Sequence, residues 1–194
     1  MSEPLPAGPF GCILVDPPWS FLTYGKKRTT PHRGAVDHYQ VMTASDLRTL
    51  PVINSAAKDC ALFMWVVDSH LDEALALGAA WGFQFKTCSF IWLKETQNGR
   101  QLDIFKGDSD PRISMGYWTR KQTEQCWLFT RGKPKRLSKG VRQVIRDPRR
   151  EHSRKPDEQY DRIGALVGGP YLELFARQQR PGWAVWGNES TKFD

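Results

Sequence analysis

The chain has 194 residues, 40% of them apolar and 25% charged, and a formal net charge of +7. That length suits a single domain spanning residues 1–194, and the apolar share is too high for a wholly disordered chain. The longest purely apolar run, Ala61 to Val67, is far short of the roughly 20 residues of a membrane-spanning helix.

The segment Gly11 to Val15 reads as a buried strand stopped by Asp16-Pro17-Pro18, because two prolines forbid both a continuing strand and a helix. Ser20 to Pro51 is polar and reads mostly as loop, with Thr43 capping a short helix. Ala61 to Val67 reads as a strand. Asp68 or Ser69 then caps a helix to about Trp81, with Leu71, Ala74, Leu75 and Gly78 on its buried face and Gly82 as its stop. Lys86 to Lys94 and Gln125 to Thr130 read as central strands, separated by a long loop from Asn98 to Gly116. Val141 to Arg146 alternates as a half-exposed strand. A helix from Asp157 to Val167 carries Tyr160, Ile163 and Val167 on one stripe and stops at Gly168-Gly169-Pro170. Leu172 to Ala176 and Trp183 to Gly187 complete the strands. Strands alternating with helices give an α/β class with a doubly wound, largely parallel sheet. Ligands of such sheets sit beyond the carboxyl ends of the strands, so Asp16, Arg177 and Asn188 should share one rim.

Met1 to Phe10 shows no basic start or apolar stretch of a secretory signal. The four cysteines form no Cys-x-x-Cys pair, which suggests buried thiols in a reducing compartment. The histidines show no metal-ligand spacing, so no metal is expected. Charge is concentrated. Arg131 to Lys155 holds eleven Lys or Arg against Asp147 and Glu151, a segment of +9. The rest of the chain therefore sums to −2. Such clustering attracts polyanions, and the run is expected to track nucleic-acid phosphates, with Arg149 and Arg150 among the contacts. Lys26-Lys27-Arg28 is a smaller basic run.

Asp16-Pro17-Pro18-Trp19 is the sharpest local signal. The prolines have no N–H, so the turn offers the Asp16 carboxylate and free carbonyls beside an aromatic plane, Trp19. An exocyclic amine on a flat base fits that acceptor-only cradle, its ring stacked on an aromatic face. Acceptors on both N–H groups localise the nitrogen lone pair and stabilise the positive charge that develops during attack on a methyl group.

The tetrapeptide resembles the signature of the S-adenosylmethionine-dependent adenine-N6 methyltransferases, a family that includes the eukaryotic mRNA adenosine methyltransferase and bacterial and phage relatives. So do His152-Ser153-Arg154-Lys155-Pro156-Asp157-Glu158, Leu172 to Arg177 with Arg180-Pro181-Gly182-Trp183, Trp186-Gly187-Asn188-Glu189, and Gly116 to Arg120 with Glu124. Order and spacing agree over about Ile13 to Glu189, and the wording is closer to the bacterial and phage branch. The resemblance implies a Rossmann-like methyltransferase fold of seven-stranded type, permuted so that the catalytic motif precedes the cofactor motif. It implies S-adenosyl-L-methionine as cofactor and adenine in nucleic acid as substrate, DNA before RNA, with a non-catalytic nucleic-acid-binding subunit as the rival reading. By the same resemblance, Asp16 to Trp19 are catalytic and Asp16 also lies near the cofactor's charged end. Lys155 lies near the methionine carboxylate or the base, Phe175 and Arg177 line the ribose and adenine side, and Asn188 and Glu189 hydrogen-bond the ribose or adenine. Glu124 resembles a pocket residue. Tyr24 and Lys94 are candidate contacts to base or phosphate. Bacterial or phage-infected host cytoplasm is the expected location, and a homo- or heterodimer stays open. The chain departs from the family in having no acidic segment ahead of Asp16, where Glu3 is the lone acid.

Overall fold

The computed structural model describes residues 4–19, 42–95, 114–115, 118–151 and 154–194. Tyr24, the Lys26–Arg28 run, most of the Asn98–Gly116 loop, and His152 and Ser153 of the second motif lie outside the described residues.

The chain alternates strands and helices. β1 is Phe10–Val15, α1 Ala44–Thr49, α2 Val52–Ser55, β2 Ala56–Val66, α3 Leu71–Ala80 and β3 Gln84–Glu95. The short β4 (Ser114–Met115) and β5 (Arg120–Lys121) pair with each other, and β6 (Thr123–Arg131), β7 (Val144–Pro148), α4 (Glu158–Leu166), β8 (Tyr171–Leu174) and β9 (Trp183–Trp186) complete the order. Seven strands form one sheet in the order β7-β3-β6-β2-β1-β8-β9. The β1–β2, β1–β8, β8–β9 and β3–β7 pairs are parallel, and both pairs made by β6 are antiparallel. Six strands therefore point one way, and β6 alone runs back. The expected doubly wound α/β fold is present, with one inverted strand near its centre. The carboxyl ends of six strands and the amino end of β6 share one rim.

Alternation along the strands sorts their side chains onto two faces. Ile13, Val15, Leu62, Met64, Phe129, Leu172 and Leu174 pack on the face shared with α1 and α3. Cys12, Leu14, Ala61, Phe63, Trp65, Phe90, Trp92 and Cys126 pack on the other, with Ile163 and Val167 of the α4 stretch. Three of the four free thiols, on Cys12, Cys60 and Cys126, are buried.

Thr43 caps α1 as expected, and Asp46 returns the bond to complete a capping box. The start of α3 differs. Asp68–His70 forms a single 3-10 turn with no side-chain cap, and Ser69 Oγ lies 2.8 Å from His70 Nδ1. The buried stripe of α3 is Ala74, Leu77 and Gly78 rather than the one through Leu75, which is exposed. Trp81, at the helix end, explains the choice. It is fully buried, donates from Nε1 to the Leu47 carbonyl at 3.0 Å, and continues the stripe of Leu77 and Gly78. Gly82 ends the helix at φ +83, as a glycine stop should.

Candidate active site

β1 delivers Asp16 to the carboxyl rim on the α4 face, because it continues the alternation of Cys12 and Leu14. Lys155, from the segment entering α4, donates from Nζ to Asp16 Oδ2 at 2.8 Å and stands 3.3 Å from Glu124 Oε2. Glu124 reaches this rim because β6 is inverted, so its first residues lie where the other strands end. Lys94, near the end of β3, donates to Glu124 Oε1 at 2.5 Å. The result is a chain of alternating charge, Lys94–Glu124–Lys155–Asp16, drawn from β3, β6, the α4 approach and β1. Burial alone would raise the Glu124 carboxyl, but Lys155 and Lys94 outweigh it and hold it down at about 2. Burial also works against charge on Lys155, yet Asp16 and Glu124 keep it well above the ordinary lysine range. Lys94 is 8% exposed, and there burial wins and lowers its pKa despite Glu124. Lys94 is thus a buried partner of Glu124 in this structure.

Beside Asp16 opens a solvent-accessible cleft lined by Leu14, Trp65, Arg154, Lys155, Asp157, Gln159, Tyr160, Glu173, Phe175, Arg177, Gln178 and Phe193. Phe175 follows β8 with φ +58, a conformation that an aromatic residue adopts only under constraint. The strain sits on the cleft wall, where Phe175 packs edge-on against Trp186 at 5.5 Å. Gly187 permits the close approach behind it, since an added Cβ would lie 3.0 Å from the Ala176 backbone. Glu173 accepts from the Tyr160 hydroxyl at 3.0 Å, and burial pushes its carboxyl up to about 7 against the pull of Tyr160 and Arg180. Trp65 packs in the core and donates from Nε1 to Gln159 Oε1 at 2.7 Å. Trp92 is likewise buried and donates to the Asp147 carbonyl at 2.8 Å. Asn188 and Glu189 follow β9 on the same rim, with Glu189 3.7 Å from Arg177 and 2.6 Å from Lys192.

Two expectations change. Trp19 lies in the core of the opposite face, 4% exposed, and its Nε1 donates to the Trp65 carbonyl at 3.5 Å. It braces the turn and offers no ring to a stacked base, because Asp16 and Trp19 leave the turn on opposite sides of the sheet. The Pro17 carbonyl accepts the Trp19 N–H at 2.8 Å, so one of its two lone pairs is spent within the turn. The basic run also divides. Arg150 is held by Asp157 at 2.5 Å and by the Lys155 carbonyl at 2.9 Å, and Arg154 lies against Glu151, Asp157 and Gln178. Arg150 is an internal strut that fixes the backbone of Lys155, with its guanidinium already committed.

The cleft brings carboxyl groups at Asp16 and Glu173 together with the cations of Lys155, Arg154 and Arg177, a donor set that suits a ligand carrying charge of both signs. Arg154 Nε lies buried on this cleft with no hydrogen-bond partner among the described residues, a donor awaiting an acceptor. Aromatic and aliphatic walls complete the cleft.

Comparison with known proteins agrees with this chemistry. The family model described as MT-A70 matches residues 10–189. The chain is 31% identical to the type II methyltransferase M.MunI of Mycoplasma sp, over 95% of this chain and 79% of that protein. It is 29% identical to the N(6)-adenosine-methyltransferase MT-A70-like of Arabidopsis thaliana, over 94% of this chain and 24% of that protein. Against the N(6)-adenine-specific methyltransferase METTL4 of Mus musculus the identity is 28%, over 95% of this chain and 38% of that protein. The chain thus spans most of the bacterial relative and well under half of the plant and mouse ones.

Proposed function

The chain belongs to the MT-A70 family, and from that premise we propose that it transfers the methyl group of S-adenosylmethionine to the exocyclic N6 of adenine in DNA. The observation that carries the reading is Asp16 fixed at the strand end by Lys155 and Glu124, on the lip of a cleft that combines carboxylates, cations and apolar walls. The bound cofactor would supply an electrophilic methyl group on a sulfonium.

The chain's own residues then divide the work. Lys155 occupies one oxygen of Asp16 and leaves the other directed to an incoming N–H. The remaining lone pair of the Pro17 carbonyl is the second acceptor. Together they orient the amine and stabilise positive charge on nitrogen as the new bond forms. Glu124 gives Lys155 a second carboxylate contact, so the ammonium is held from two sides where it meets Asp16. Lys155, Arg154 and Arg177 would hold the cofactor's carboxylate end and flank. Phe175 would wall its ring side, with Asn188 and Glu189 close by. The target base must leave its stack to reach this rim.

DNA is preferred to RNA because the bacterial relative, a type II methyltransferase, matches over most of its length. Methyl transfer from labelled cofactor to sequence-matched DNA and RNA oligonucleotides, followed by mapping of the modified base, tests this. N6-methyladenine in DNA is expected. A preference for RNA would replace the substrate, and transfer to neither would overturn the reading.

A further inference from the structure

The basic run that looks continuous in sequence is split by the fold. Its second half lies at the site, where Arg150 is committed to internal partners and Arg154 and Lys155 line the cleft. Its first half begins at the opposite rim, because β6 is inverted and ends there. Arg131 pairs with Cys60 and donates to the Ile53 carbonyl, and the Lys133 N–H donates to Asp59 at 2.7 Å. From that rim residues 132–143 cross the α4 face as an ordered strap. The Leu137 N–H donates to the Leu166 carbonyl at 2.8 Å, and Arg162 of α4 donates to the carbonyls of Arg142 and Val144. The strap feeds β7, the edge strand, whose Arg146 is exposed, 3.8 Å from Glu95, and whose end reaches the catalytic rim.

No acid occurs between Arg131 and Asp147. Lys133, Lys135, Arg136, Lys139 and Arg142 are all exposed, and none forms an ion pair with a described residue. The strap segment itself carries a single sign, with Asp59 at its start and Glu158 and Asp161 on the helix beneath it, and its backbone is already held by hydrogen bonds, so little ordering cost remains on binding.

We infer that the Lys133–Arg142 strap, continued by Arg146 along the β7 edge, is a second phosphate-contacting surface that anchors the nucleic acid on one flank of the target base. The inference rests on the nucleic-acid reading above and adds a direction to it, since the substrate backbone follows the β7 edge away from Asp16. From Glu124 to Arg131, β6 covers roughly 23 Å at about 3.3 Å per residue. That corresponds to about seven base pairs at about 3.4 Å each.

The test compares the wild type with the quadruple variant K133Q/K135Q/R136Q/K139Q. Binding is measured by fluorescence anisotropy against salt, on a duplex of about 30 base pairs and on an oligonucleotide with about three nucleotides on each side of the adenine. On the long duplex the slope of log K against log salt should shrink by about 3 to 4, with about a tenfold or greater loss of affinity at moderate salt. On the short oligonucleotide the two proteins should agree within about twofold, because it cannot reach the strap. Arginine at the three lysine positions should restore the slope. An unchanged slope on the long duplex, or an equal loss on both lengths, would overturn the inference. Failure of the methylation reading is read separately, as wild-type protein that transfers no methyl group to DNA or RNA.

Discussion

Replacing Glu124 by glutamine removes the charge between Lys94 and Lys155 while keeping the shape. Lys155 retains Asp16, but Lys94 loses its ion-pair partner with its side chain only 9% exposed. Breaking a buried pair by removing one member costs about 3 to 5 kcal/mol. Proton linkage gives a similar figure. A carboxyl lowered from an ordinary 4.5 to about 2 contributes about 3 kcal/mol of folding stability at neutral pH, at about 1.4 kcal/mol per unit. Because the folded value is depressed, that contribution is fully present above pH 4.5 and is lost as pH falls towards 2. Urea denaturation should therefore show Glu124→Gln about 3 kcal/mol less stable than wild type at pH 7, with the gap closing progressively below pH 4.5. In a chain of this size the melting temperature should drop by about 6 to 12 °C. The K94M/E124Q double variant should recover part of the loss, because no buried cation is left unpaired. A gap of the same size at pH 3 and pH 7 would refute the reasoning, as would Glu124→Gln matching wild type at pH 7.

Asp16→Ala should lower kcat by about a thousandfold, the scale for losing a preorganised charge-stabilising group, while far-UV circular dichroism stays native; activity within tenfold of wild type would exclude Asp16 as the amine's acceptor. Glu173→Gln should act opposite to Glu124→Gln. Burial raises its folded value to about 7, so its ionisation in the unfolded chain costs stability progressively from about pH 4.5 to 7. Denaturation should show this variant stabilised by up to about 3 kcal/mol at pH 8 and unchanged at pH 4. Trp19→Phe should lower stability by about 1 to 2 kcal/mol through lost packing, with kcat within a few-fold of wild type; a loss of kcat as large as that of Asp16→Ala would return the indole to the reaction.

The elements and the rim were legible because their causes are local. The paired prolines after Asp16 had to end a strand, Thr43 had to cap a helix, and Gly82 had to stop one. What escaped depended on contacts across the fold. Lys94 and Glu124 are 30 residues apart, and Asp16 and Lys155 are 139 apart. No periodicity links them, and their meeting required β6 to run backwards, a direction no short segment encodes. The α3 stripe was misplaced because Leu71-Ala74-Leu75-Gly78 and Ala74-Leu77-Gly78-Trp81 are equally good helical patterns, and Trp81 docking on Leu47 decides between them. Trp19 sits three residues beyond Asp16, and only the geometry of the turn sends it to the other face. The basic run read as continuous because charge can be counted without knowing which arginines have internal carboxylates.

The buried thiols give the molecule a built-in clock. Cys12, Cys60 and Cys126 lie on β1, β2 and β6, three adjacent strands at the middle of the sheet, and burial raises all three, Cys60 to about 12. While the sheet is closed they offer alkylating reagents and oxidants almost no thiolate. Cys88, on β3 and partly exposed, should be modified first. Each later adduct then timestamps an opening of the central strands, so mass spectrometry of a slow labelling reaction reads local unfolding without any engineered probe.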